Sequence, residues 1–208
     1  IGGLTAQGAL ATNITVAEPD ANGRASLQRD FQVQVTADNR VAVSGAHVVV
    51  LAVKPQIMAE VVRALAPALQ AARPLVISVA AGIRTANLAQ WVGTGLAVVR
   101  CMPNRPALIG AGATGLYADA SVGDADRTLA TLVLQSTGVA LWVQKESDID
   151  LVTALSGSGP AYFFRLAELM AEAAIAQGLA PEVARQLAAQ TLAGGGQLVA
   201  AETAPDLA

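Results

Sequence analysis

The sequence predicts an α/β protein in which a mostly parallel, doubly wound sheet is followed by an all-helical domain. Three observations predict it. Short continuous apolar runs, such as "VVVLAV" (48–53) and "PLVISVA" (74–80), alternate with stretches of helical period as far as about Val143. Strands apolar at nearly every position are those covered on both faces, which is how a parallel sheet wrapped by helices is built. After Val143 no strand signal recurs and the period stays helical.

Taken in order, "IGGLTAQGAL" (1–10) reads as the tail of a helix, and "NITVAEPD" (13–20) as a strand from Ile14 to Ala17 stopped by Glu18-Pro19. "ANGRASLQRDF" has helical spacing, with Leu27 and Phe31 four apart. A strand near "VQVT", a short helix from about Asp38 and a strand over 47–53 come next. In "PQIMAEVVRALAPAL", Ile57, Val61, Leu65 and Leu69 fall at steps of four, on one predicted helix face. "PLVISVAAGI" is another strand, "RTANLAQWV" a short helix, and "LAVVRCMPNRP" a strand broken at Pro103. "ATGLYAD" reads as a further strand, "DADRTLATLVLQSTG" as a helix and "VALWV" as the last strand. The division falls near residues 144–146: residues 1–144 are expected to form the sheet domain, and 145–208 a helical one. Within the latter, Gly178 stops one helix and Pro181 starts the next.

Composition narrows the function. A formal net charge of −3 offers no basic field for nucleic acid. Mean hydropathy of +0.48 raises the membrane question, yet no run reaches the roughly 18 unbroken apolar residues that a spanning helix needs. One cysteine, Cys101, forms no internal disulfide, so a cytoplasmic protein is expected. A single histidine, His47, excludes a histidine-based metal cluster and argues against a Ser-His-Asp triad.

In an open parallel sheet, ligands bind outside the carboxyl ends of the strands. Four such ends are visible: Glu18-Pro19, Lys54-Pro55, Ala80-Ala81-Gly82 and Met102-Pro103-Asn104. Small residues there let backbone approach a flat ring, and proline ends a strand. Lys54 is one of only two lysines, beside Lys145. Glu18 follows the second strand of such a fold, where an acid reads ribose hydroxyls, although acids also end strands for no functional reason. "LSGSGPAYFF" (155–164) interrupts a helical stretch with two glycines and a proline, and Gly194-Gly195-Gly196 sits inside the last helix; both fit close approach without side chains, the first equally a plain break between helices. No complete G-x-G-x-x-G follows any strand.

"LAVKPQ", "SVAAGI", "VRCMPNRPALIGAG" and "SGSGPAYFF", in this order and spacing, resemble the pyrroline-5-carboxylate reductases. The resemblance covers essentially the whole chain. It implies a Rossmann-like domain followed by a helical domain that forms homodimers and larger homo-oligomers. The implied reaction reduces a cyclic imine carboxylate to L-proline with hydride from NADPH or NADH. By the same resemblance the cofactor is bordered by Glu18, Pro19, Asn39, Ala52, Val53, Lys54, Pro55, Ala80, Ala81 and Gly82. The substrate is walled by Met102, Pro103, Asn104, Ser158, Gly159 and Pro160. No catalytic acid and no metal ligand is assigned. An acid at Glu18 favours NADH, whereas Arg24 nearby favours NADPH. The family reads Thr where this chain has Arg105. Its glycine-rich dinucleotide loop would precede Ile1 and its Ser/Thr-Gly-rich substrate loop would follow Ala208, so the 208 residues are expected to be the interior of a longer protein. Two other readings fit the same plan: a hydride-transfer enzyme for a β-hydroxy acid, and a non-catalytic oligomeric dinucleotide-binding module.

Overall fold

Seven strands form where the sequence runs apolar. The computed structural model describes residues 1–93 and 95–202, in two compact units, Ile1–Gly157 and Ser158–Ala208. In the first unit, helix α1 (Gly2–Ala6) leads through a short turn to β1 (Thr15–Ala17), α2 (Ala21–Phe31), β2 (Gln34–Thr36) and α3 (Asn39–Val43). Then follow β3 (Val48–Leu51), α4 (Pro55–Ala72), β4 (Leu75–Ser78), α5 (Thr85–Val92) and β5 (Val98–Met102). After a 3₁₀ turn at Arg105–Ile109 come β6 (Gly112–Tyr117), α6 (Asp124–Gln135), β7 (Gly138–Trp142) and α7 (Asp148–Val152). A π-helical turn, Thr153–Gly157, ends the unit.

The strands make two sheets, β1-β2 and β3-β4-β5-β6-β7. All neighbours are parallel except β5 and β6, which are antiparallel. The uniform strand–helix alternation expected up to Val143 therefore fails at one place. The link from β5 to β6 is a 3₁₀ turn closed by Gly110 at φ 74°, too short for the crossover that a parallel neighbour requires.

Side chains alternate across the five-stranded sheet and build a core on each face. Val76 and Val98 face α4 and α5, where Met58, Val62, Leu65, Leu69, Leu88 and Val92 are buried and Trp91 is packed at the margin. Leu75, Ile77, Val99, Cys101 and Leu116 face the other way, onto Ala130 and Leu134 of α6, with Trp142 at that margin. Each fully buried Leu, Ile or Met contributes about 1.5–3 kcal/mol. The α4 stripe differs from the expected one. Met58, Val62, Leu65 and Leu69 are buried, while Ile57 is 47% exposed. A period of 3.6 needs steps of three and four, and three successive steps of four drift off the face.

The two tryptophans are held by cations. The Arg63 guanidinium lies 5.8 Å from the Trp91 ring centre, and that of Arg127 4.7 Å from Trp142. Trp142 Nε1 also donates to Thr131 Oγ1 at 2.9 Å.

The second unit holds α8 (Gly159–Ala176) and α9 (Pro181–Glu202), joined through Gly178 at φ 98°. Its buried set is three alanines, Ala171, Ala184 and Ala188, with Met170, Ala174 and Ile175 packed against them. The first compact unit runs to Gly157. Glu146 and Asp150 pair with Arg100 of β5, and this holds α7 to the sheet.

Candidate active site

The carboxyl ends of β3, β4 and β5 share one edge of the sheet, because Leu51 pairs with Ser78 and Ser78 with Arg100 in parallel register. Ala52, Val53 and Lys54 leave that edge after β3, and Pro55 occupies the first turn of α4, where its missing N–H costs nothing. Lys54 is exposed; its carbonyl accepts from the Ile57 N–H at 3.2 Å, while its ammonium has neither hydrogen bond nor ion pair among the described residues, so its charge remains available. Ala80 is buried beneath the loop after β4, whereas Ala81 and Gly82 are exposed. Gly82 has φ 76°, a conformation that a side chain would strain. Met102, Pro103 and Asn104, all half-buried, follow β5.

The ends of β1 and β2 share a second edge, linked where the Glu18 N–H donates to the Thr36 carbonyl at 3.0 Å. The Glu18 carboxylate accepts from the Asp20 N–H at 2.9 Å. It also lies over Gly23, where a Cβ would come 2.9 Å from Glu18 Cγ. Arg24 Nη1 donates to the carbonyls of Glu18 and Pro19 at 2.7 and 2.8 Å. The acid and the guanidinium thus both brace this loop. Asn39 starts α3 behind the cap residue Asp38, whose carboxyl is held below its ordinary range by hydrogen bonds from Arg40. Asn39 lines a cavity of about 370 Å³ between α3 and α4, with Ala37, Glu60 and Ala64. A larger cavity, about 480 Å³, opens beside the first residues of β4 and β5 and touches none of the residues above.

Asn104 has both ends of its amide engaged. Oδ1 accepts from the Ala113 N–H at 2.9 Å, and Nδ2 donates to the Ser156 carbonyl at 3.0 Å. It ties the strand end to the π turn. In the second unit, Ser158 precedes α8, and Gly159 and Pro160 form its first turn.

Two family models match. One, described as pyrroline-5-carboxylate reductase dimerisation, covers residues 146–208; the other, NADP oxidoreductase coenzyme F420-dependent, covers 1–82. The pyrroline-5-carboxylate reductase of Pseudomonas aeruginosa is 49% identical over 198 residues, which is 95% of this chain and 72% of that protein. That of Vibrio alginolyticus is 42% identical over 207 residues, 100% of this chain and 76% of the relative. The chain belongs to the pyrroline-5-carboxylate reductase family. The solved Coxiella burnetii reductase superposes with a TM-score of 0.89 at 38% identity, covering 95% of this chain and 73% of the other. The Plasmodium falciparum enzyme, solved with NADP bound, gives 0.83 at 27%, covering 95% and 72%.

In this reductase the structure also buries a charged residue, with two carboxylates beside it, that the motifs do not reveal. Arg100, in the middle strand, is 3% exposed. Its guanidinium reaches Glu146 at 3.4 Å and Asp150 at 3.3 Å. An arginine inside an apolar strand was the available signal, together with two acids four apart in "ESDID". Cys101 next to it points into the opposite core, where its thiol lies 3.3 Å from the Ser78 carbonyl oxygen and burial pushes its pKa up to about 12. Cys101 is therefore a neutral apolar filler at ordinary pH.

Proposed function

We propose that this chain reduces 1-pyrroline-5-carboxylate to L-proline with NADPH or NADH, the terminal step of proline synthesis. The observation that carries the reading is the bed of small, exposed strand-end residues, Ala52, Ala81 and Gly82, beside the unpaired Lys54. Such a bed fits a flat ring lying on bare backbone, with a cation for a neighbouring anion. The cavity between α3 and α4 gives the adenosine half a place beside Asn39. Glu18, Pro19 and Asn39 border the ribose and adenine, and Ala52–Pro55 with Ala80–Gly82 border the nicotinamide half.

When bound, the reduced nicotinamide supplies a hydride to the imine carbon, and the protonated imine nitrogen takes up the electron pair of the C=N bond. The protein's part is to bind, orient and exclude water. Met102, Pro103, Asn104, Ser158, Gly159 and Pro160 are assigned to the substrate through the family motifs. Among these, Asn104 acts as a brace, since both ends of its amide are engaged within the protein. None of these side chains is assigned a proton-donating role.

The helical unit is proposed to associate with a second copy of itself, which accounts for its exposed Tyr162, Phe163, Leu187 and Leu198. No helix of the described residues is long and apolar enough to cross a membrane, and the proposed biosynthetic role places the enzyme in the cytoplasm. The test is oxidation of NADPH and of NADH by the full-length protein with 1-pyrroline-5-carboxylate, with recovery of L-proline. Stoichiometric proline is expected. Binding of either cofactor without turnover would overturn the reading in favour of a non-catalytic module.

A further inference from the structure

We infer that Arg100 is a positioning residue: through Glu146, it locks the segment 146–157 onto the same strand ends that carry the Ala80–Gly82 loop. This inference rests on the proposed reductase reaction for its kinetic consequence, though its structural part stands alone.

A guanidinium inside a sheet is expensive. Removing it from water costs several kcal/mol, and a well-packed apolar residue of similar volume is often at least as stable there. Arg100 bears a further cost, because its Nε has no partner among the described residues. Stability alone gives no reason for an arginine at this position. Its contacts do.

Arg100 shares a sheet face with Ser78 and Tyr117, its register partners in β4 and β6. Its two terminal nitrogens divide between Glu146 and Asp150. The Asp150 side chain is 67% exposed and that of Glu146 only 22%, so Glu146 is the partner screened from solvent. The same Glu146 oxygen, Oε1, accepts the Thr85 N–H at 2.7 Å. Thr85 is the first residue of α5 and lies three residues beyond Gly82. One carboxylate therefore ties the loop after β4 to the middle of β5 and to the start of the 146–157 segment.

The far end of that segment is fixed independently by Asn104, through the Ser156 carbonyl. Between the two anchors the segment packs closely on β5 and β6, against glycines that leave no space for a side chain. A Cβ at Gly115 would come 2.7 Å from Val152 Cγ2, and one at Gly157 would come 3.2 Å from Met102 Cε. The π turn at Thr153–Gly157 contains the second anchor, Ser156. Such turns persist where surrounding contacts hold them, and they recur at functional sites. The segment behaves as a bar pinned at both ends across the strand termini, and Arg100 is the buried pin.

The experiment compares wild type with Glu146→Gln and Arg100→Met in the full-length protein. Glu146→Gln keeps an acceptor for Thr85 and nearly the same volume, so it reports even if Arg100→Met fails to fold. Amide hydrogen exchange is expected to quicken at 83–86 and 153–157 while β4 and β5 stay protected. The KM for the imine is expected to rise about tenfold or more, as small displacements of positioning elements do. A merely structural role lowers kcat through lost folded protein and leaves KM in place. Unchanged exchange in both segments, or a fall in kcat at constant KM, would overturn the inference. If the wild type itself does not turn over, the proposed reaction fails, and the exchange result alone decides the positioning role.

Discussion

Strands β4 and β5 and helices α8 and α9 use similar residues to opposite ends. Val76, Ile77 and Val99 are wholly buried between helices on both faces of the sheet. Among the described residues of the helical unit only three alanines are buried, and Tyr162 is 73% and Leu198 64% exposed. Burial of apolar area is the main favourable term in folding. Strands β4 and β5 therefore satisfy it within one chain, whereas α8 and α9 leave large apolar side chains in solvent.

The difference can be broken or sharpened by four measurements. The largest effect is expected from Ile77→Ala, which removes a fully buried side chain and should cost about 2–5 kcal/mol in urea unfolding. That loss should not depend on protein concentration; a loss that vanishes at high concentration would place the sheet's stability in association. Next, Tyr162→Asp should weaken self-association of the full protein about tenfold or more, roughly 1.4 kcal/mol or above, with little change in sheet-unit exchange. Light scattering against dilution reads it, and an unaltered mass profile would remove Tyr162 from the contact surface.

A smaller effect concerns Cys101. Its thiol stays protonated in the folded state up to about 12, whereas the ordinary value is 9.0. Above pH 9 the unfolded chain loses the proton and the folded one keeps it, so stability falls as pH rises from about 9 towards 12 and is unaffected below. The slope is at most about 1.4 kcal/mol per pH unit. Urea midpoints for wild type and Cys101→Ala should separate in slope over this window only. The smallest effect belongs to Arg165, whose partners Glu168 and Glu172 on α8 are all well exposed. Arg165→Gln should leave the melting temperature unchanged within error, as surface pairs do; a clear drop would show that this face is covered in the assembled protein.

Much of this was legible from sequence because strand burial leaves a local trace. Runs such as "PLVISVA" mark β4 by composition alone, and Gly178 and Pro181 punctuate the helices. Direction leaves no such trace: "ATGLYAD" reads the same whether β6 runs with β5 or against it. The strand-end residues could be named because parallel strands deliver their carboxyl ends to a common edge. Asn104 is legible by the same rule, but its bond to Ser156 depends on where a chain segment 52 residues away returns. Arg100 was passed over for the same reason, since its carboxylates lie 46 and 50 residues downstream.

The placement of the two tryptophans has an optical consequence. Trp91 borders the core under α4 and α5, Trp142 borders the core under α6, and the chain has no other tryptophan. Tryptophan emission, excited selectively over tyrosine, therefore watches both sides of the sheet and takes no signal from α8 or α9. Each indole sits near a guanidinium, so loss of either cation contact should alter its emission separately. Far-ultraviolet dichroism, dominated by helices, would follow α8 and α9 as well. Divergence of the two signals during denaturation would time the departure of the helical unit, with no label attached.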